Sequence, residues 1–161
     1  MNHNEADIEL MNLAIVASRA ALNAGNYPYG AVLASSDAKV IHISQNNQNT
    51  NEDSTGHAEM VLMREASLRF GATALKGATV YASGEPCAMC TGALFWSGIE
   101  RIVFAASNET LAEVIGGDIL AIKCATVLAG ASRHIQVDGP LLEPSAVSVL
   151  RDARSKISEQ I

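Results

Sequence analysis

Two short strings in this chain carry residue types that can do chemistry: His57-Ala58-Glu59 and Pro86-Cys87-Ala88-Met89-Cys90. Cys87 and Cys90 are three apart, which on a helix sets both thiols on one face, where they can share a metal ion. In a helix's first turn the unsatisfied backbone N–H groups and the dipole also favour thiolates. His57 adds a neutral nitrogen. One imidazole and two thiolates suit zinc, and three protein ligands leave the fourth tetrahedral position open to water, as in a catalytic rather than a structural site. Cys124, His3, His42 and His134 have no paired spacing and read as ordinary core or surface residues, so none is taken as a fourth ligand. Glu59 stands two residues from His57, and side chains at i and i+2 do not share a helix face, so it is not expected to bind the metal. With the metal off the helix end, Glu59 can approach the bound water from the side, take its proton and pass it on. Each string alone has a plainer reading: Cys-x-x-Cys can be a thiol redox pair, and His-x-Glu by itself carries almost no information. Together, in this order and each at a junction into a helix, they point to a hydrolytic zinc site.

The elements that must position these residues follow from periodicity. Apolar positions between residues 7 and 25 suit an amphipathic helix stopped at Gly25. Residues 30–33 and 40–44 read as a strand hairpin around a Ser-Ser-Asp turn. The polar run 45–56 reads as a loop that cannot be core. Helical spacing resumes from His57 to Phe70, with Asp53, Ser54 or Thr55 as the expected cap. Residues 79–83 form a strand that runs into Gly84-Glu85-Pro86, and Pro86 suits the start of a helix through Trp96. Residues 102–105 and 135–137 read as strands, 121–128 is ambiguous, and 143–156 is a closing helix. Strands alternating with helices predict an α/β sandwich in one domain spanning residues 1–161.

Composition narrows the partners. The chain has 161 residues, 48% of them apolar, enough for the core of a single domain. Its formal charge of -6 argues against a surface that neutralises many phosphates, and 4% aromatic residues leave little for a base-stacking platform. Nucleic acid is therefore not the expected partner, and a small molecule is. No stretch approaches the ~18 apolar residues of a membrane span, and the polar, acidic residues 1–7 are unlike a signal or transit peptide. A cytoplasmic protein with no membrane partner is expected, and in a reducing compartment a close cysteine pair favours a metal or redox site.

The order His-x-Glu and then Pro-Cys-x-x-Cys matches the signature of zinc deaminases. On these strings, with Pro28-Tyr29-Gly30-Ala31-Val32, Gln45-Asn46-Asn47, Thr55-Gly56 and Glu85, the chain resembles the cytidine and deoxycytidylate deaminase-like superfamily over residues 7–140. It looks most like bacterial guanine deaminases and is also similar to tRNA adenosine deaminases. The resemblance implies a three-layer α/β/α sandwich around a mixed five-stranded sheet, one zinc ion per chain on His57, Cys87 and Cys90, and Glu59 as the catalytic proton carrier. It further implies a homodimer. For the substrate it implies Asn46 presenting its amide to the ring, Tyr29 and Trp96 as pocket aromatics, Asp118 meeting the donors of guanine, and Glu143 as a second acid. Plainer roles stand beside these: Tyr29 or Trp96 as core, Asp118 as a turn or cap residue after Gly116-Gly117, and Glu143 as a dipole-compensating residue at a helix start. The chain departs from the resemblance in having no C-terminal Tyr to lid the pocket, and it lacks the Arg-rich final helix of tRNA-acting relatives. The expected reaction is guanine to xanthine plus ammonia. The alternatives are tRNA adenosine deamination, deamination of cytosine or another aminated heterocycle, and a zinc-stabilised binding module with a retired site, against which Glu59 speaks.

Overall fold

A computed structural model describes residues 3–116 and 119–158. Five strands form one sheet in the order β2-β1-β3-β4-β5: β1 (Gly30–Ala34), β2 (Val40–Gln45), β3 (Thr79–Gly84), β4 (Arg101–Ala106) and β5 (Gln136–Asp138). Strand β1 is antiparallel to both neighbours, while β3, β4 and β5 run parallel, so the sheet is mixed. The hairpin closes where the Ser35 N–H donates to the Lys39 carbonyl.

Alternation along the strands builds two cores. Val32, Ala34, Tyr81, Val103 and Ala105 face α1 (Glu5–Asn23) and α8 (Glu143–Ser158). Ala31, Leu33, Val80 and Ile102 face α3 (Ala58–Phe70) and α5 (Ala88–Trp96). This is the expected three-layer α/β/α sandwich. β1 and β4 are covered on both faces and therefore carry near-continuous apolar runs rather than alternation. Gly30 is required at the start of β1, because an added Cβ would lie 2.4 Å from the Ala14 carbonyl oxygen and 2.5 Å from the Ser18 nitrogen of α1.

Several boundaries move. Helix α1 starts earlier than expected because Asn4 and Asp7 form a reciprocal capping box. Helix α3 begins at Ala58 with His57 as its N-cap residue, and none of the three expected caps serves it. Asp53 instead accepts from the Thr55 N–H and hydroxyl. The polar run 45–56 contains a helical turn, α2 (Gln48–Asn51), and a completely buried Asn46. Sequence periodicity also did not anticipate α4 (Ala72–Leu75) and α6 (Asn108–Val114), and the ambiguous segment yields α7 (Cys124–Val127) followed by a 3-10 turn. One or two turns are too short to display a 3.6-residue period. Among the described residues no helix is long and apolar enough to cross a membrane.

Away from the metal-ligating strings, a charged network fastens α1 to the sheet. Arg101 donates to Asp7 at 2.6 Å and to Asp138 at 2.7 Å, and the Tyr81 hydroxyl donates to Asp7 at 2.7 Å. Burial alone would raise the Asp7 pKa, but hydrogen bonds from Arg101, Tyr81 and the Asn4 N–H outweigh it and hold the carboxyl at about 2. The folded value lies below the ~3.9 of an unfolded Asp, so this stabilisation is present above that pH and is lost as pH falls toward 2. Replacing Asp7 by Asn should cost roughly 2 kcal/mol in urea unfolding at pH 7. The gap from the wild type should hold to about pH 5 and close below pH 4. A gap indifferent to pH would mean that the ion pair contributes nothing.

Candidate metal centre and cavity

Both chemical strings begin at helix N-termini, and the sheet brings those termini together. His57 is the N-cap residue of α3 and Cys87 that of α5, each with extended backbone and no side-chain capping bond of its own. Their side chains turn toward each other instead. His57 Nδ1 lies 3.6 Å from the sulfurs of both Cys87 and Cys90. Ligand bonds of about 2.0 Å to nitrogen and 2.3 Å to sulfur at a tetrahedral angle put N and S about 3.5 Å apart, so the spacing and the donor set both fit zinc. Among the described residues this is the single group of three or more His, Cys, Asp or Glu with converging donor atoms. The four residues set aside in the sequence are accounted for. His42 bonds Glu65 at 2.7 Å, His3 lies 3.8 Å from Asp7, Cys124 is buried at the start of α7, and His134 borders a separate surface depression.

The electrostatics suit a cation. Taken by themselves, the three side chains share protons: a hydrogen bond from Cys90, with help from His57, carries the Cys87 thiol down to about 4 against the effect of burial. Contact with Cys87 in turn raises the pKa values of His57 and Cys90. Two helix N-termini aimed at the same spot favour the thiolate further. Glu59 is 7% exposed and hydrogen-bonds to Cys90, and burial pushes its carboxyl above the usual carboxylate range. A carboxyl with a raised pKa beside a metal site is suited to carry a proton in both directions.

A cavity of about 660 Å³ opens over the triad, beyond the carboxyl ends of β3 and β4, where ligands of parallel sheets usually sit. Tyr29, His57, Glu59 and Cys87 line its reactive side, and Leu111, Ile115, Ile119 and Leu120 line its apolar side. Tyr29 packs on Gly84, where a Cβ would come within 3.2 Å of the ring. Burial, with Glu59 and Cys87 nearby, pushes the Tyr29 hydroxyl up to about 12, so it remains protonated and able to donate.

The other expected substrate residues fare differently. Asn46 is buried behind the wall and is not among the cavity's lining residues. Trp96 is 85% exposed, stacked edge-on against Phe95 over the separate depression. Six residues of helix turn through about 600°, which leaves Trp96 about 120° away from Cys90 around α5. It joins neither the cavity nor the core. The Glu143 carboxylate accepts from the Ser107 N–H and the Thr110 hydroxyl, capping α6 rather than facing the cavity. Asp118 lies outside the described residues, and its near neighbours Gly116 and Ile119 line the cavity.

Three residues that sequence reasoning passed over also line the cavity: Gln48, Glu85 and Asn108. Glu85 is buried, and its carboxylate accepts from the Asn108 N–H at 2.9 Å and the Cys124 N–H at 2.8 Å. The Asn108 side chain donates to the Ile122 carbonyl. Glu85 thus clamps both ends of the segment that carries Leu111, Ile115 and Leu120. An acid beside the Pro-Cys motif was the available signal, but its two amide partners are distant in sequence.

The family described as cytidine and deoxycytidylate deaminase zinc-binding region matches residues 4–106. A probable cytosine deaminase of Schizosaccharomyces pombe is 36% identical over 148 residues, 89% of this chain and 90% of that one. A guanine deaminase of Bacillus subtilis is 36% identical over 114 residues, 70% of each chain. Of solved structures, one in complex with 2,6-diaminopurine superposes with a TM-score of 0.80 at 25% identity, covering 96% of this chain and 84% of that one.

Two substitutions should separate the metal centre from the wall. Cys90→Ser should reduce tightly held zinc well below one ion per chain in elemental analysis. Glu85→Ala should leave zinc in place but cost roughly 2–3 kcal/mol of stability and expose the Cys124 amide to hydrogen exchange. Unchanged exchange at that amide would mean the clamp is not formed.

Proposed function

Because this chain belongs to the cytidine and deoxycytidylate deaminase zinc-binding family, we propose that it hydrolyses the amino group from a free nucleobase, with guanine, converted to xanthine and ammonia, as its first substrate. The observation that carries this reading is the cavity itself. It opens directly onto the metal-ligand triad, and none of the described residues lining it is Lys or Arg. Two carboxylates, Glu59 and Glu85, sit in its wall. Such a site repels phosphate and suits a neutral heterocycle, which agrees with the chain's acidic balance and with the purine bound by one structural neighbour.

Zinc held by His57, Cys87 and Cys90 would lower the pKa of a water molecule there toward neutrality. The remaining work falls to this chain's own groups. Glu59 accepts a proton from the attacking water and delivers it to the ring nitrogen beside the amino-bearing carbon. It then takes the proton of the hydroxyl now on that carbon and gives it to the amino nitrogen, so that the C–N bond breaks, ammonia leaves and the carbon becomes a carbonyl. Tyr29 borders the ring and supplies a donor that stays protonated. Leu111, Ile115 and Ile119 exclude water from the opposite side. Asp118 is assigned to the N1–H and exocyclic amino donors of guanine, on the resemblance stated above.

Ammonia release from zinc-loaded protein, followed with guanine, cytosine and a stem-loop RNA as substrates, tests this choice. Guanine should be turned over fastest. Inosine formed in the RNA with no release from guanine would sink the proposal, and cytosine as the better substrate would move it to a pyrimidine. Glu59→Gln should lower kcat by about 10³-fold while keeping one zinc per chain. Surviving turnover would refute the proton-carrier role. Asp118→Asn should harm guanine more than cytosine, and equal losses would make Asp118 structural.

A further inference from the structure

The cavity is larger than a base requires. Guanine, allotted for each non-hydrogen atom the ~30 Å³ that a molecule occupies in liquid water, takes about 330 Å³. The cavity holds about 660 Å³, a volume that suits a drug-sized ligand. The surplus lies on the apolar side. Gly84 separates the two sides, since a Cβ there would come within 3.2 Å of both the Tyr29 ring and Leu111 Cδ1. From Leu111 the wall continues to Ile115, whose N–H donates to the Leu111 carbonyl one helical turn back, so the two side chains share a face. Tyr27, Met89 and Leu120 line the open edge; all three are exposed, Leu120 at 69%. Large apolar side chains left exposed around one opening mark a binding surface.

The polarity of this wall selects what can extend from the reacting ring. A phosphate would meet Glu59 and Glu85, with no Lys or Arg among the described lining residues. The hydroxyls of a sugar would lie against Leu111, Ile115 and Leu120, and burying a hydroxyl without a partner is unfavourable. The polar groups nearest this wall are turned to the backbone: Glu85 accepts from two N–H groups, and Asn108 Nδ2 donates to the Ile122 carbonyl. We propose that the substrate of this protein is an aminated heterocycle with an apolar or aromatic substituent on the edge away from the amino group. The ring sits between Tyr29 and the metal ligands, and the substituent lies along Leu111, Ile115 and Leu120. This inference rests on the reading of the cavity as a nucleobase site and extends it from the ring to what the ring carries. Guanine is then the minimal substrate, and its apolar derivative the better one.

Two sets of compounds test it on zinc-loaded protein, by KM from ammonia release and by calorimetric affinity: guanine, 9-benzylguanine and guanosine, and cytosine, 1-benzylcytosine and cytidine. Within a set the benzyl group should lower KM and Kd roughly tenfold, as burial of about two methylene groups does. The ribose, attached at the same atom, should give no gain. Leu120→Asn and Met89→Gln should each shrink the benzyl advantage to about threefold or less, read as a ratio within each variant so that any general loss cancels. Leu120 is 69% exposed, so its substitution leaves the fold in place and decides should Met89→Gln lose zinc. Equal values for the benzyl derivative and the free base, the result if a lid or a second copy of the chain fills this space, would overturn the inference. A gain from ribose equal to that from benzyl, or an advantage untouched by Leu120→Asn, would overturn it too. If only the cytosine set binds, the guanine assignment fails and the inference is read on that set. A protein that binds none of these compounds loses the nucleobase reading and this inference together, whereas a bound free base with no benzyl gain removes the inference alone.

Discussion

The structure depends on two helix N-termini meeting at one end of the sheet. Helices α3 and α5 pack against the same face, and each carries a candidate metal ligand at its N-cap, 30 residues apart in the chain. His57 Nδ1 can stand 3.6 Å from two sulfurs only if both termini are held close together. Strand β1, antiparallel to β3, and the parallel pair β3–β4 supply that constraint, since each helix starts near a fixed strand end. Without a cation the two sulfurs share a proton, since contact with the Cys87 sulfur raises the Cys90 thiol, and the N–H groups of two helix termini favour the negative charge that remains.

Two buried carboxylates with opposite surroundings divide the work around that point. Glu85 receives two backbone N–H groups and serves as a fixed anchor for the cavity wall. Glu59, in the first turn of α3, is desolvated beside a thiol, and burial raises its proton affinity. Environment rather than residue type makes one carboxylate an anchor and suits the other to the proposed proton transfer.

The chemistry of this chain was legible because it is local. His57, Glu59, Cys87 and Cys90 sit in short strings whose spacing and place at helix starts already limit what they can do, and the alternation of strands with helices announced the sandwich. Substrate contacts were less legible. Trp96 looked like a pocket aromatic by its offset from Cys90, yet helical rotation carries it to the surface. Glu143 looked like a second acid, yet it caps a helix that no periodic pattern revealed. Gln48 lay in a polar run that read as plain loop, yet it lines the cavity, and Asn46 beside it is completely buried.

The amino-acid sequence by itself therefore determined the fold class and the candidate metal-binding set, because ligand type, i to i+3 spacing and hydrophobic period are properties of a few neighbouring residues. Only the tertiary structure decided which imidazole nitrogen faces the thiols, which acid two backbone amides clamp, and which side chains line the cavity. Those outcomes follow from contacts between segments tens of residues apart, among them Glu85 with Asn108 and Cys124 and Asn46 with Tyr29. No local pattern encodes them.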